Sequence, residues 1–360
     1  MKIQAILTKP GDWLSGGTRH PIVISSRVRL ARNLAKLPFP GWAKKTERVR
    51  ILEEIKPEVD ALPSMKEGFS EQLNELSATE KQVLVERHLI SREHAAKGMG
   101  SAVVINPVQT VSIMINEEDH LRMQAITCGL DLPKTFQTID EIDTALEAQL
   151  DFAFDEQLGY LTACPTNVGT GMRASAMVHL PGLVLSEQIN QVVNSVNKIG
   201  LAVRGLYGEG TEAMGNLFQV SNQTTLGEKE DQIIGRLHKV IETLIQRETQ
   251  ARDNLLETKR TTLLDQIGRA YGILTHAYSI SSKEALNLIS ILRLGIDLGF
   301  FPEEGRAIIN QLLMDTQPAH LQNVSQQKLA AEDRDHLRAD IVRDKLKNFP
   351  RPPNTKEPGQ

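Results

Sequence analysis

IVISSRVRLAR, residues 22–32, places a run of β-branched residues directly before arginines at positions 27, 29 and 32. The composition predicts a strand over Ile22–Leu30. Side chains alternate along a strand, so Arg27 and Arg29, two apart, share one face and form a fork suited to a polyphosphate. An exposed edge strand carrying charges would show the same spacing, so this stretch decides the fold only together with what surrounds it.

Outward from it, two helices are expected. The second has a capping-box signature, Ser77 to Glu80, ahead of KQVLVERHLI. SAVVINPVQTVSIMIN, starting at Ser101, reads as two strands around a turn at Asn106-Pro107. The acids of NEEDH predict a helix from near Glu118 through LRMQAITCG to Gly129, with Cys128 inside it as a buried, inert thiol. A further helix is expected over Thr138–Phe152, then a short strand GYLTAC, the loop PTNVGTG, and a helix MRASAMVHL. Helix SEQINQVVNSVNKIG should end at Gly200, and LAVRGLYG and GNLFQVSN read as strands. Strands and helices mix without a regular βαβ beat, which favours an α+β fold with helices packed on a sheet. After Gly227 only helical periodicity remains, and SSKEALNLISILRLGIDLGF, apolar on nearly all sides, belongs inside a helical bundle.

The bulk properties narrow the function. The 360 residues allow two domains. The net charge of −4 excludes a global basic field for nucleic acid, so any anion site must be a local arginine cluster. Two cysteines, Cys128 and Cys164, make no disulfide framework and fit a reducing cytoplasm. No leader-like segment or membrane-length apolar run is present, so no membrane association is expected.

There is no GxxxxGK[ST] and no HRD…DFG pair, so a nucleotide would be handled without a Walker loop or a protein-kinase fold. Glu118 and Arg122, four apart, would share a helix face, either as an ordinary ion pair or as a base beside a phosphate-binding arginine. In Cys164-Pro-Thr-Asn-Val-Gly-Thr-Gly-Met-Arg173, two glycines would precede a helix whose amides receive an anion, with Arg173 in its first turn. Cys164 at the loop mouth, near positive charge, is placed to be a thiolate. Arg204-Gly-Leu-Tyr-Gly-Glu209 again sets an arginine and a carboxylate around glycines. His120 and His179 lack partners at metal-ligand spacing and read as core or surface histidines.

Read together, SSRVRLAR, NEEDHLR, CPTNVGTGMRAS and RGLYGEGTEAMGN followed by SNQTTLG resemble, in order, the catalytic domain of the phosphagen (guanidino) kinases. PFPGWA, YGEGTEAMGNLFQVSNQTTLG and Arg334-Asp-His-Leu-Arg338-Ala339 are more similar to the bacterial protein-arginine kinases of the McsB type. That resemblance implies an α+β phosphagen-kinase-like domain, an antiparallel sheet flanked by helices, plus an all-α C-terminal domain. The expected division is an irregular lead-in over 1–20, the catalytic domain over 21–250, a phosphoarginine-binding helical domain over 251–348 and a disordered tail over 349–360. The implied reaction is ATP-dependent phosphorylation of arginine in proteins, with Mg2+ carried by ATP and no metal held by the protein. The implied roles are Glu118 as principal base, Glu209 as second carboxylate and Cys164 as a thiolate paired with the guanidinium. Arg27, Arg29, Arg122, Arg173 and Arg204 would bind ATP, and Arg334, Asp335 and Arg338 would bind phosphoarginine. Implied partners are a small zinc-binding activator, a Clp-type protease ATPase and a second copy of the chain. A free-arginine kinase is the alternative, against which stands the short stretch of 24 residues before SSRVRL, where the small-molecule enzymes carry a helical domain. A phosphoarginine-binding adaptor without activity is a second alternative, against which stand intact Glu118, Glu209 and Cys164.

Overall fold

The structure is a computed structural model that describes residues 3–7, 11–15, 21–205, 214–325 and 328–352. Its strands, in chain order, are β1 (Val23–Arg32), β2 (Phe69–Gln72), β3 (Ala102–Ile105), β4 (Val111–Ile115), β5 (Leu121–Cys128), β6 (Phe154–Asp155), β7 (Gly159–Tyr160), β8 (Met172–His179), β9 (Leu201–Gly205) and β10 (Leu217–Asn222). Eight of them form one sheet in the order β2-β3-β4-β5-β1-β8-β10-β9, antiparallel at each pairing. The arginine-bearing strand β1 therefore lies inside the sheet, not at an edge.

Alternation sorts the two faces of β1. Val28 and Leu30 are buried in a core shared with helices Lys45–Ala61, Leu132–Glu147 and Glu230–Thr258. Arg27 and Arg29 consequently point to the other face. The pairing register carries that face across the sheet. Arg29 sits opposite Arg173 on β8, Ala31 opposite Arg122 on β5, and Gln219 on β10 opposite both Met177 and Arg204. Residues directly opposite in a ladder share a face. Arg27, Arg29, Arg122, Arg173 and Arg204 therefore all project to the same side.

Two expected helices are strands. Residues 121–128 form β5, joined to β4 by a tight turn in which Asn116 N–H donates to His120 O (2.9 Å) and Glu117 N–H to Asp119 O (3.1 Å). Leu121, Met123 and Ala125 are buried on the core face, a period of two rather than 3.6. The acids that suggested a helix start occupy the hairpin turn instead, with Asn116 at φ +55°. Residues 172–179 form β8, with Met172, Ala174, Ala176 and Val178 in the same core. Cys128 thus ends a strand and is not inside a helix. The helix expected over 138–152 runs from Leu132 to Glu147, where Asp131 accepts from Lys134 N–H and Pro133 enters the first turn. GYLTAC contributes only Gly159–Tyr160 to a strand. The capping box at Ser77 and Glu80, the strand pair around Asn106-Pro107, the helix end at Gly200 (φ +78°) and the strands of 201–205 and 217–222 form as expected.

From Glu230 onward the described residues contain helices and no strands. These helices build a second core around Leu263, Ile267, Ile289, Leu292, Ile309 and Val342, which also takes in Ile24, Ile126 and Leu217 of the sheet. The 29-residue helix Glu230–Thr258 runs unbroken across the expected 250/251 boundary, with Ile233 to Ala251 in the first core and Leu255 in the second. A buried ionic chain locks the junction. Glu248 accepts from Gly182 and Leu183 N–H (2.8 and 2.9 Å), Arg252 bridges Glu248 and Asp297 (2.6 and 3.1 Å), and Arg306 joins Asp297 (3.0 Å). Among the described residues no helix is long and apolar enough to cross a membrane.

Candidate active site

The arginine face of the sheet opens into a cavity of about 950 Å3. All five arginines line it, together with Glu117 and Glu118. Arg27 donates to Gln219 Oε1 (2.9 Å), a neutral partner, and Arg29 Nε has no hydrogen-bond partner among the described residues. Burial, then Arg122 and Arg173, lower the Arg27 pKa to about 10. Burial also holds Arg29 well below the ordinary arginine value, with Arg27, Arg122 and Arg173 adding to the shift and Glu117 opposing it. Crowded guanidinium groups that lower one another's proton affinity lack negative charge, and a polyanion is what would relieve them.

Arg122, by contrast with Arg27 and Arg29, is ion-paired. Glu117, fully buried, accepts two hydrogen bonds from its Nη1 (2.8 and 2.7 Å) and one from Ser91 Oγ (2.5 Å). Burial alone would raise the Glu117 pKa, but Arg122 and these hydrogen bonds outweigh it and hold the carboxylate at about 2. Glu117 is ionised at neutral pH and fixes Arg122. Its neighbour Glu118 has the opposite shift. Burial, then Asp119 and, more weakly, Glu117 and Glu93 raise its pKa against the pull of Arg122. Two adjacent carboxylates are driven apart in acidity, a pattern that separates a structural anion from a proton acceptor. The i,i+4 helix pairing expected for Glu118 and Arg122 does not exist. Glu118 is in the hairpin turn and Arg122 is the second residue of β5.

Three loops are bonded into one rim beside Glu118. Asp119 accepts from Ala163 N–H (2.6 Å) and Asn33 Nδ2 (2.6 Å), and His120 N–H donates to Asn33 Oδ1 (2.9 Å). His120 Nδ1 accepts from Leu34 N–H (3.0 Å) while Nε2 donates to Pro38 O (3.0 Å), which fixes the neutral tautomer. Burial lowers the His120 pKa accordingly. Thr162 and Ala163 line the cavity, and Cys164 follows them, half-buried, with Sγ 3.1 Å from Thr166 Oγ1.

The loop after Cys164 makes one 3-10 turn, Pro165–Asn167, and then leads into strand β8, so the α-helix expected from Met172 does not form. Arg173 reaches the cavity from a strand. The glycines serve close approach instead. Gly171 lies at φ +65°, where a Cβ would come within 2.6 Å of Ala31 O, and Gly169 at φ +112°, where it would come within 2.7 Å of Thr225 O. Arg32, next along β1, is structural, bound to Asp143 (2.6 Å) and lying over the Tyr160 ring. Glu209 lies outside the described residues.

Sequence reasoning passed over Asp119, Asn33 and His120 as loop organisers, and His88, a cavity-lining histidine that burial holds at about 3. Capping-type hydrogen bonds between distant loops leave no periodic signal, although Asp119 and His120 stand inside the NEEDHLR string. His179 is in the core, bonded to Ser290 Oγ (2.8 Å). In the C-terminal motif, Arg334 is half-buried and donates to Leu329 O (2.9 Å). Arg338 does not share an open face with it. It is 1% exposed, pairs with Asp335, and donates to Thr316 O (2.8 Å) and Ile280 O (2.7 Å).

Comparison with known proteins bears on this geometry. The model of the ATP:guanido phosphotransferase C-terminal catalytic domain matches residues 50–251, and that of the protein-arginine kinase McsB C-terminal domain matches residues 260–357. A protein-arginine kinase of Halothermothrix orenii is 45% identical over 348 residues, covering 96% of this chain and 99% of the relative. One of Moorella thermoacetica is 47% identical over 345 residues, covering 94% and 98%. Among solved structures, lombricine kinase aligns with a TM-score of 0.58 at 25% identity, over 65% of this chain and 68% of that one. The duplicated taurocyamine kinase from Schistosoma mansoni with bound transition-state-analogue components gives 0.59 at 25% identity, over 71% and 39%.

Proposed function

We infer how the cavity works from the premise that this chain belongs to the ATP:guanido phosphotransferase family, in its protein-arginine kinase branch. The chain is an ATP-dependent protein-arginine kinase and acts on arginine in proteins. The observation that carries the assignment of roles is the convergence of five arginines from four strands beside Glu118 in one cavity.

In this reading Arg27, Arg29, Arg122, Arg173 and Arg204 receive the triphosphate. Phosphoryl transfer asks the protein mainly for positioning and positive charge, and rigid guanidiniums on a sheet supply both without reorganising. Mg2+ arriving on the phosphate oxygens would add the remaining charge. The acceptor guanidinium, with a pKa above 12, is a poor nucleophile and must lose a proton as it reacts. Its nitrogen forms a bond to the γ-phosphorus as the bond to the β–γ bridging oxygen breaks, and ADP leaves. Glu118 takes the proton, and its raised pKa makes it a stronger base than an exposed carboxylate. Glu209 is assigned as the second carboxylate and Cys164 as the thiolate that pairs with the guanidinium. Support for both is the matched sequence strings and, for Cys164, its place after the cavity-lining Thr162 and Ala163.

We retain the division into a catalytic domain over 21–250 and a helical domain over 251–348, supported by a core that residues of the helical region largely build, although that core also takes in Ile24, Ile126 and Leu217 of the sheet. We assign the RDHLRA helix to phosphoarginine. Arg334 and Asp335 would meet the ligand, while Arg338, committed to Asp335 and two carbonyls, positions the aspartate. Cytoplasmic location, a zinc-binding activator, a Clp-type ATPase as the downstream partner and a homodimer are proposals resting on the resemblance. The test of the central reading is incubation with ATP-Mg2+ and a mixed protein substrate, with phosphosites mapped under non-acidic conditions. Phosphoarginine in proteins is expected. A clear preference for free arginine at equal arginine concentration would overturn it.

A further inference from the structure

The turn that joins β1 to the first long helix carries an aromatic side chain for which the reaction described above has no use. Trp42 is 90% exposed, the most exposed large apolar side chain among the described residues, and it lines the catalytic cavity. The chain's other tryptophan, Trp13, is buried in the second core. An indole left in water costs hydrophobic free energy that burial elsewhere would recover, so an isolated one at a cavity mouth points to a partner that covers it.

Trp42 does not project from a loose loop. Its N–H and that of Ala43 both donate to Phe39 O (2.9 Å each). Phe39 packs edge-on against His120 with ring centroids 6.0 Å apart, and Pro38 O accepts from His120 Nε2. On the other side Lys44 N–H donates to Glu47 Oε2 (2.6 Å), fixing the start of the next helix. The turn is therefore fastened to the same hairpin that holds Glu118. Asp119, between Glu118 and His120, fastens the Thr162–Cys164 loop to it as well. The rim formed by these three loops is the side of the cavity where the acceptor nitrogen must stand, because Glu118 is there. The polyphosphate belongs on the arginine floor, which is built by the strands and not by the rim.

We propose that Trp42 is a specificity residue, a fixed indole platform against which the arginine-bearing segment of the protein substrate lies as its guanidinium enters. The proposal rests on the kinase reading above. A tryptophan face suits this occupant on two counts. Guanidinium groups stack on indole through cation–π attraction. The methylene stem of arginine, and the chain that carries it, offers apolar surface to cover the ring. An anionic nucleotide phosphate gains neither contact.

The experiment compares wild type, Trp42→Ala and Trp42→Phe with ATP-Mg2+ and an unstructured arginine-containing polypeptide. Trp42→Ala should raise KM for the polypeptide about five- to tenfold, with kcat and KM for ATP within about twofold of wild type. Trp42→Phe should recover most of the loss, because a ring face is restored. Unchanged polypeptide KM in Trp42→Ala overturns the proposal while leaving the kinase reading intact. A rise confined to the KM of ATP overturns it too, and would place the indole against the nucleotide. A wild-type chain that does not phosphorylate the polypeptide at all sinks the kinase reading, and the platform with it.

Discussion

Arginines are buried in the helical region and half-buried on the sheet floor, and their surroundings differ in kind. In the helical region most buried guanidiniums meet carboxylates, although Arg293 donates only to the Asn310 amide (3.1 Å), its Nη1 finds no partner among the described residues, and burial lowers its pKa to about 10. Arg252 meets Glu248 and Asp297, Arg306 meets Asp297 and Glu303, and Arg338 meets Asp335 and two carbonyls. On the sheet floor the balance is inverted. Arg27 finds a neutral amide, and Arg29 Nε finds nothing among the described residues. A guanidinium that is neutralised in place serves the fold. One left short of negative charge in a cavity is held for a ligand, since burying unpaired charge is costly and is retained where something else repays it.

The sharpest way to break this contrast is to remove one arginine from each region. Arg252→Met leaves Glu248 buried without its cation and Asp297 with Arg306 alone, and should destabilise the fold by about 3–5 kcal/mol, read from denaturant unfolding. Arg29→Met should leave stability unchanged or raised, because it removes a repelled charge, while lowering kcat/KM by roughly 100- to 1000-fold. Equal destabilisation by both substitutions would dissolve the distinction.

Glu117 and Glu118 repeat the contrast between adjacent residues. Glu118→Gln should cut turnover by roughly 100-fold while ATP still binds, measured by steady-state kinetics alongside nucleotide titration. If Glu118 is the base, the acid limb of kcat/KM should lie above the ordinary glutamate value, because it would act only when ionised and its pKa is raised. The linkage signs are opposite for the two groups. Glu118, with its raised folded pKa, contributes stability below the unfolded value that is lost as pH rises through the folded one, so Glu118→Gln should be the more stable protein at neutral pH. Glu117, held at about 2, contributes stability above its unfolded pKa that is lost as pH falls from about 4.5 towards 2. Unfolding at several pH values separates the two.

Much of the fold could be read from the sequence, and the errors are instructive. Strand β1, the hairpin at Asn106-Pro107 and the helical region followed from local pattern. β5 and β8 did not, though Leu121, Met123 and Ala125, like Met172, Ala174, Ala176 and Val178, alternate strictly. Acids before one and alanines within the other outweighed a period-two signal only a few residues long. The error moved Arg122 and Arg173 onto the wrong kind of element, so spacing alone could not bring them to Arg29. What unites them is pairing register, Arg29 opposite Arg173 and Ala31 opposite Arg122, which depends on contacts between segments far apart in the chain. The resemblance had grouped these residues, and the structure places them around one cavity although their local structure had been misread.

The C-terminal motif sharpens the comparison further, because it holds one arginine of each kind. Arg338 is spent within the fold, whereas Arg334, half-buried, donates to Leu329 O and meets no carboxylate among the described residues. If Arg334 and Asp335 meet phosphoarginine as proposed, Arg334→Ala removes one charge-assisted contact, worth about 1.5–3 kcal/mol, and should weaken binding at least tenfold. Stability should change little, because the lost carbonyl contact is only partly buried. Arg338→Ala should weaken binding too, but through a measurable loss of stability, since Thr316 O, Ile280 O and Asp335 all lose their donor. In that proposal Asp335 would give the selectivity, because a phosphoserine carries no guanidino group to pair with it. Calorimetric titration of phosphoarginine into wild type and both variants, each with the catalytic cavity blocked, reads the affinities, and denaturant unfolding reads the stabilities. Unchanged affinity in Arg334→Ala would place that arginine with the structural set.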